Sequence, residues 1–129
     1  MTTTRSIIRK KGHEPIVMVT AWDSITARIA DDAGVDMILV GDSLANTALG
    51  YPNTLPVSLD AMYHHASAVS RTSGDALVVF DLPFLGCCGN MAEDVRACGR
   101  ALKDCGCHAV KMEGTPLDLV RALTGQGIP

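Results

Sequence analysis

The chain has 129 residues, of which 47% are apolar, 19% are charged and 4% are aromatic, and its formal net charge is −3. These values predict one globular domain with a core of aliphatic side chains. They argue against a nucleic-acid-binding protein, because the only basic run is 9–11, and against a membrane-spanning one, because no apolar run approaches the ~18 residues of a spanning helix.

The first thirteen residues are rich in Thr, Ser and basic side chains and lack the apolar stretch of a secretory signal. We expect a short amphipathic helix here and a cytoplasmic location, with a mitochondrial presequence as the minor alternative. The five cysteines have no paired C-x-x-C spacing, so we expect reduced, buried small hydrophobes, with a thiol metal site or a redox role as the alternative.

Short apolar runs and capping residues alternate along the chain in a repeated strand–helix pattern. Ser24 and Ser58 are candidate N-caps, while Gly34 and Gly106 are suited to close helices. The longest irregular stretch, 44–56, is typical of a binding loop or lid. The predicted strands cover 16–20, 36–40, 76–80 and 109–112, and the predicted helices cover about 24–33, 59–72, 91–105 and 117–124.

This pattern predicts an α/β fold with parallel strands and right-handed crossovers. The strands are short and aliphatic, which favours burial on both faces. We interpret residues 1–129 as the first four strand–helix units of a (βα)8 TIM barrel, the N-terminal half of one catalytic domain that stops before strand five. A four-stranded doubly wound domain, complete in itself, is the alternative.

Three of the apolar runs end on an acidic residue, at Asp42, Asp81 and Glu113. The intervals, 39 residues (42 to 81) and 32 residues (81 to 113), resemble the roughly 31 residues per unit of a (βα)8 barrel. Acids at the carboxyl ends of successive parallel strands meet at one rim, where they repel one another unless a cation joins them. Each alone is also explained as a helix cap or turn residue. Together they predict a site for a hard ion such as Mg²⁺.

Lys111 lies two residues before Glu113 and so points to the same side of its strand. We interpret it as a cation held ready for an anionic substrate group, with a surface lysine on an edge strand as the alternative. Ser43 adds a hydroxyl and a backbone N–H beside Asp42.

For the remaining polar and aromatic residues, we expect mainly structural roles. His64 and His65 are expected to be partly exposed structural residues, since neighbours on a helix face different directions. Trp22 is a candidate for the mouth of the site, and Asp23 is a candidate helix cap. The segment 86–89 lacks phosphate-loop spacing.

Four motifs, in this order, resemble those of the ketopantoate hydroxymethyltransferase family over the range from about Arg5 to the last residue. Together they are highly specific for that family. They are Val40-Gly41-Asp42-Ser43-Leu44, Thr54-Leu55-Pro56-Val57, Asp81-Leu82-Pro83-Phe84 and Val110-Lys111-Met112-Glu113-Gly114.

The resemblance implies a (βα)8 barrel enzyme that binds Mg²⁺. It transfers a hydroxymethyl group from 5,10-methylenetetrahydrofolate to 3-methyl-2-oxobutanoate, which gives 2-dehydropantoate in the first step of pantothenate biosynthesis. By motif match, Asp42 and Asp81 would ligate the metal and Glu113 would complete its surroundings through water. Asp42, Ser43, Asp81 and Lys111 would contact the 2-oxo acid.

The same resemblance implies what these residues lack. The family's general base is a glutamate beyond Pro129, and a substrate-binding histidine also follows, so none of the residues printed here is expected to be the catalytic base. We therefore expect little activity from this chain alone. The family forms homo-oligomers, decamers in bacterial enzymes, and its partners are small molecules.

Four departures from the family pattern affect the shape of the pocket and leave the metal ligands in place. They are Trp22, Ala45, Thr115 and the 87–88 pair. Two further functions stay open. One is a Mg²⁺-dependent 2-oxo acid lyase or mutase of the phosphoenolpyruvate mutase/isocitrate lyase kind, and the other is a non-catalytic half-barrel that self-associates.

Overall fold

A computed structural model describes all residues from Met1 to Pro129. Four strands alternate with helices in the predicted order, and two helices, one at the N-terminus and one after the second strand, are additional to that alternation. The strands are β1 Met18–Thr20, β2 Met37–Val40, β3 Leu77–Asp81 and β4 Ala109–Lys111. The helices are α1 Thr4–Lys10, α2 Ser24–Asp32, α3 Leu44–Thr47, α4 Leu59–Ser70, α5 Met91–Lys103 and α6 Leu117–Gly125.

The four strands form one parallel sheet in the order β1-β2-β3-β4. A doubly wound sheet reverses its strand order at a switch point, whereas a (βα)8 barrel adds each strand beside the previous one. The sequential order therefore confirms the predicted barrel-type arrangement, and the doubly wound alternative is wrong.

The two faces of the sheet have different surroundings. Ile38, Val40, Val78 and Phe80 belong to a core cluster of 23 buried residues that packs the sheet against the helices. Tyr63 of α4 stacks on Phe80, with ring centroids 5.1 Å apart, and so joins helix to sheet. The opposite, open face carries the alternate residues of each strand, among them Met18, Met37, Leu39, Val79, Asp81, Ala109 and Lys111.

Burial of both strand faces, which the aliphatic runs predicted, holds for β3 alone. In β2 burial alternates, in β4 every residue is partly buried, and in β1 every residue is exposed. Position explains the exposure of β1 and β4, which are the outer strands of this sheet, whereas β2 and β3 are both paired on two sides. Met18 is 46% exposed and Val19 37% exposed.

Two strands begin later than the sequence predicted, because carboxylate side chains bind the backbone N–H groups at their starts. Asp36 accepts a hydrogen bond from the Val17 N–H at 2.9 Å, so a side chain replaces the ladder partner there. Asp31 accepts N–H groups from Gly74, Asp75 and Ala76 at 3.0, 2.9 and 2.8 Å, so β3 begins at Leu77. These bonds satisfy the backbone where the ladder has not yet started.

Two helix starts were assigned from the sequence with different success. The N-cap of α2 is Asp23, whose carboxylate accepts the Thr26 N–H at 2.7 Å, and Ser24 is the first helical residue. The Ser24 prediction was therefore wrong and the Asp23 prediction correct, because a carboxylate at this position also gains from the helix dipole. Ser58 caps α4 as predicted, through the Ala61 N–H at 3.2 Å.

The predicted short N-terminal helix is α1, and the loop 44–56 contains one further short helix, α3.

All five cysteines are free thiols, and Cys98, Cys105 and Cys107 are buried as expected, while Cys87 is half-buried and Cys88 exposed. None of the six helices combines the length and the apolar character that a membrane-spanning helix requires.

Candidate functional site

The register of the sheet brings Asp81 and Lys111 together. These residues are Cα partners at the carboxyl ends of β3 and β4, so their side chains leave the open face side by side. The Lys111 ammonium donates to Asp81 Oδ1 at 2.6 Å. The Asp81 side chain is 4% exposed and that of Lys111 39% exposed, which makes this a largely buried ion pair with one side open to solvent.

Asp42 joins the pair through its backbone. Its N–H donates to Asp81 Oδ2 at 3.2 Å, so both oxygens of the Asp81 carboxylate have a donor. Gly41 lies directly beside this contact, since a Cβ atom there would be 3.7 Å from Asp81 Oδ2, an ordinary van der Waals distance. The carboxylates of Asp42 and Asp81 therefore sit at neighbouring strand ends, as predicted.

Thr54 is a residue of the site whose role the sequence alone did not predict. It lines the same groove as Asp42, so the end of the long 44–56 loop returns to the carboxyl end of β2. The sequence signal was the Thr54-Leu55-Pro56-Val57 motif, which carried the family resemblance without an indication of what Thr54 contacts.

Charges within the site shift two pKa values. Burial raises the pKa of Asp42, the neighbouring Asp81 raises it further, and Lys111 and Thr54 partly oppose this. Burial alone would lower the pKa of Lys111, but its hydrogen bond to Asp81 and the charges around it raise the pKa above the ordinary value. The two carboxylates thus carry more negative charge than one ammonium balances.

Glu113 and Ser43 lie at the margin of the site. Glu113 is 83% exposed, and its Oε1 lies 3.8 Å from the Lys111 nitrogen. Ser43 is exposed, and its side chain makes no cap hydrogen bond to α3. The structure brings no three Asp, Glu, His or Cys side chains together in a group that could hold a metal ion. Asp42 and Asp81 are therefore the close pair, and a role for Glu113 through water stays a prediction.

The donor set nevertheless fits a hard divalent cation. Mg²⁺ is commonly held by one or two carboxylates, with substrate oxygens and water completing its shell. Asp42 and Asp81 supply two carboxylates, and the pKa of Asp42 is raised by burial first and by the neighbouring Asp81 charge second, both of which a bound cation would offset. All nearby donors are oxygen atoms except the Lys111 ammonium, which cannot ligate.

A groove of about 780 Å³ extends from this site. Asp42 and Glu113 belong to its lining, together with residues of the loop after β3 and of the segment that leads into α6. Its lining includes Leu55, Phe84, Leu85, Met112, Thr115 and Leu117. The apolar part of this lining suits a ligand with a flat or aliphatic body.

Three further residues take structural roles. His65 Nδ1 lies 2.6 Å from the Trp22 carbonyl oxygen and joins α4 to the end of β1, in line with its structural interpretation. His64 is exposed beside it. Trp22 packs against the core cluster and does not line the groove, so the prediction that it lines the mouth of the site is not supported there.

Comparison with solved structures defines the class of fold. A phosphoenolpyruvate phosphomutase from Streptomyces platensis subsp. rosaceus superposes with a TM-score of 0.68 at 19% identity, over 91% of this chain and 39% of that one. A 2,3-dimethylmalate lyase of the phosphoenolpyruvate mutase/isocitrate lyase superfamily gives 0.67 at 17% identity, over 99% and 51%. These neighbours are TIM-barrel enzymes, and the chain has the fold of the first half of such a barrel.

Sequence comparison then identifies the family. The family model for ketopantoate hydroxymethyltransferase matches residues 1–129, and the chain belongs to this family. A 3-methyl-2-oxobutanoate hydroxymethyltransferase from Haloarcula marismortui is 49% identical over 131 aligned residues, covering 100% of this chain and 49% of the relative. One from Picosynechococcus sp. is 51% identical, covering 93% and 47%. The chain spans about half the length of the curated relatives it matches.

Proposed function

We propose that this chain carries the metal- and 2-oxo-acid-binding part of a 3-methyl-2-oxobutanoate hydroxymethyltransferase. The reaction transfers a hydroxymethyl group from 5,10-methylenetetrahydrofolate and yields 2-dehydropantoate for pantothenate biosynthesis. The observation that carries the proposal is the buried Asp81 carboxylate, held by the Lys111 ammonium at 2.6 Å and by the Asp42 N–H at 3.2 Å. Family membership supplies the reaction.

In this proposal Asp42 and Asp81 hold Mg²⁺, and Glu113 contacts its water shell. Bound there, Mg²⁺ supplies Lewis-acid polarisation of the substrate's keto group, which makes the adjacent C–H more acidic. The Asp81 carboxylate is oriented by the Lys111 ammonium on one oxygen and by the Asp42 N–H on the other. Such fixed orientation reduces the reorganisation needed when charge develops on the substrate.

Lys111 has a second role in the proposal. Its raised pKa keeps the ammonium charged, and its 39% exposure leaves one side open to the substrate. The charge can offset the carboxylate of a 2-oxo acid, while the exposed Ser43 hydroxyl donates a hydrogen bond to it. The folate occupies the groove whose apolar walls begin beside Asp42.

The proton at C3 of the substrate goes to a base from the rest of the full-length protein. By this proposal the 129 residues bind metal and 2-oxo acid but turn over poorly. The full enzyme is a cytoplasmic homo-oligomer that comprises one (βα)8 barrel per subunit, of which residues 1–129 form the N-terminal half.

Calorimetric titration tests the binding part of the proposal. The chain is titrated with 3-methyl-2-oxobutanoate in the presence and absence of Mg²⁺, and we expect binding only with Mg²⁺. Asp81→Asn and Lys111→Met should each weaken binding about tenfold or more, since each removes a charge-assisted contact. Lys103→Met, which changes an exposed lysine in the last turn of α5, is the matched control. Mg²⁺-independent binding, or equal weakening by the control, would overturn the proposal.

An activity assay tests the division of labour. With Mg²⁺, 3-methyl-2-oxobutanoate and 5,10-methylenetetrahydrofolate, we expect negligible 2-dehydropantoate from this chain and turnover from a full-length relative. Substantial turnover by the 129 residues would contradict the placement of the base outside them. A screen of phosphonopyruvate and 2,3-dimethylmalate as substrates separates a lyase or mutase activity from the transferase.

One observation favours self-association as a second function. The exposed row Ile16, Val17, Met18 and Val19 lies along an outer strand, where another strand can pair with it. Size-exclusion chromatography with light scattering distinguishes a discrete dimer from a monomer or aggregates. Val17→Lys should abolish a dimer that uses this edge, whereas Ile25→Lys, on an exposed position of α2, should not.

A further inference from the structure

We propose that Phe84 and Leu85 form an apolar platform for the bicyclic ring of the reduced folate, and so determine which one-carbon donor the groove accepts. This inference rests on the proposed function, which places the folate in the groove without assigning a residue to its recognition. The two side chains contact neither the metal nor the 2-oxo acid in that proposal. Their role can therefore be measured separately from the binding of either.

The first observation is the exposure of apolar side chains around the groove. Phe84 is 60% exposed and Leu85 66% exposed, although both are large apolar residues. Leu55 and Leu117, which also line the groove, are exposed as well. Phe84 is the only aromatic residue of the lining. Exposed apolar surface gathered in one concave site indicates a binding function, whereas single apolar residues scattered over a surface do not.

The second observation is the strained backbone that presents these side chains. The Gly86 N–H donates to the Pro83 carbonyl oxygen at 2.8 Å, so Phe84 and Leu85 are the central residues of a β-turn. Leu85 has φ +57°, at the turn position where a positive φ favours glycine. No other non-glycine residue of the chain has a positive φ. Leu85 does not belong to the core cluster, so packing in the core does not explain a leucine at this position.

Hydrogen bonds hold the strained turn in place. The Cys88 thiol donates to the Leu85 carbonyl oxygen at 2.7 Å. Asp94, a buried residue of α5, accepts the N–H groups of Cys88 and Gly89 at 2.9 and 3.0 Å. Strain that the surrounding structure maintains in this way is typical of ligand-binding segments. The platform is therefore preorganised, which reduces the cost of ordering the loop when a ligand binds.

The position of the turn indicates which part of the folate it contacts. Phe84 follows Asp81 by three residues (81 to 84), and the groove that Phe84 lines also includes Asp42 and Glu113. In 5,10-methylenetetrahydrofolate, the one-carbon unit bridges the bicyclic pterin ring and the first nitrogen of the side chain. That carbon must reach the 2-oxo acid beside Lys111, so the pterin is the part of the folate nearest to the metal site. An aromatic face and a branched aliphatic side chain are suited to pack against such a ring.

Calorimetric titration with two ligands tests the platform. The 129-residue chain is titrated with 5-formyltetrahydrofolate, a chemically stable reduced folate, and separately with 3-methyl-2-oxobutanoate and Mg²⁺. We expect Phe84→Ala to weaken folate binding about tenfold or more, because the ring loses its aromatic contact. Binding of the 2-oxo acid should change by less than about twofold. Ile25→Ala, at an exposed position of α2 outside the groove, is the control and should change neither affinity.

Leu85→Gly separates a binding role from a structural one. The substitution removes the apolar side chain and relaxes the turn, since glycine adopts φ +57° without steric cost. We expect folate binding to weaken about fivefold or more, together with a urea unfolding midpoint no lower than that of the wild type. A purely structural leucine would give the opposite pattern, a lower midpoint with unchanged affinity for the folate.

Competition by two fragments of the folate tests the assignment of the ring. We expect 6-methyltetrahydropterin to compete with 5-formyltetrahydrofolate, and Phe84→Ala should weaken both ligands alike. The remaining part of the molecule, p-aminobenzoyl-L-glutamate, should compete only weakly. Strong competition by that fragment and none by the pterin would overturn the placement of the bicyclic ring on Phe84.

The two titrations also separate this inference from the proposed function. If the chain binds the 2-oxo acid with Mg²⁺ but does not bind the folate, the platform is wrong and the proposed metal site stands. If Phe84→Ala weakens folate binding in a chain that does not bind the 2-oxo acid, the platform stands and the proposed metal site is wrong. Equal weakening of both ligands, or a change of oligomeric state in place of folate affinity, would overturn the inference, because Phe84 would then support the fold or cover a protein interface.

Discussion

The buried ion pair between Asp81 and Lys111 yields the most direct prediction. Lys111→Met keeps the length and apolar stem of the side chain but removes the ammonium that donates to Asp81 Oδ1 at 2.6 Å. The Asp81 carboxylate, 4% exposed, then retains only the Asp42 N–H at 3.2 Å. The substitution therefore leaves a desolvated negative charge without its counter-charge.

The expected cost follows from burial. Removing one member of a fully buried pair costs about 3–5 kcal/mol, whereas an exposed pair contributes about 0–1 kcal/mol. Lys111 is 39% exposed, so water can replace part of the ammonium's contribution. We expect Lys111→Met to lower the free energy of unfolding by about 2–3 kcal/mol.

Urea unfolding followed by circular dichroism measures the effect. Arg121→Met is the control, because the Arg121–Asp118 pair has nearly the same chemistry at 3.2 Å with both side chains exposed, and its loss should cost about 0.5 kcal/mol or less. The double variant Lys111→Met/Asp81→Asn should recover most of the loss, since no unpaired charge remains buried.

The pH dependence has a defined sign. The pKa of Lys111 is raised in the folded chain, so the pair's contribution is fully present below the ordinary value of 10.5 and disappears as pH rises through the folded value. Two results would refute this account: a loss for Lys111→Met no larger than for Arg121→Met, or a double variant as unstable as the single one.

Three further substitutions test other parts of the structure. Asp42→Asn should raise the free energy of unfolding at pH 7, because burial and Asp81 raise the pKa of Asp42 and so disfavour its charged form. The same substitution should weaken Mg²⁺ binding. In urea titrations, the unfolding free energies of wild type and variant should converge below pH 3.8. His108 Nδ1 accepts the Val78 N–H at 3.0 Å, and burial lowers the pKa of His108. Its contribution to the free energy of unfolding is therefore fully present above pH 6.5 and decreases as the pH falls below that value. His108→Asn should flatten this pH profile. Asp94→Ala should cost about 1–2 kcal/mol, since two part-buried hydrogen bonds lose a charged acceptor and water can replace part of it. Glu93→Ala, on the exposed side of α5, should cost less than about 0.5 kcal/mol, and thermal unfolding compares the two.

The central features of the site could be predicted because they follow from strand periodicity. Side chains alternate along a strand, and acids that end parallel strands meet at one edge. This reasoning placed Asp42 and Asp81 together and put Lys111 on the same side as Glu113. The register of the sheet then shows that Lys111 is the direct partner of Asp81, which sequence spacing alone cannot reveal.

Other features depended on contacts between distant parts of the chain. Thr54 lines the same groove as Asp42 only because the 44–56 loop folds back, and no local pattern encodes that return. The late starts of β1 and β3 reflect Asp36 and Asp31, whose carboxylates accept hydrogen bonds from backbone N–H groups up to 45 residues away in the sequence. The exposure of β1 likewise depends on its place in the sheet and not on its composition.

The separation of the two sheet faces has an evolutionary consequence. The helices are anchored by Ile38, Val40 and Phe80 on one side, while Leu39 and Ala109 stand half-buried on the other, beside the charged pair. Replacement of the latter two by residues of different size leaves the helix-facing packing undisturbed. Selection can therefore vary the side chains of this face without first having to compensate for a weakened scaffold.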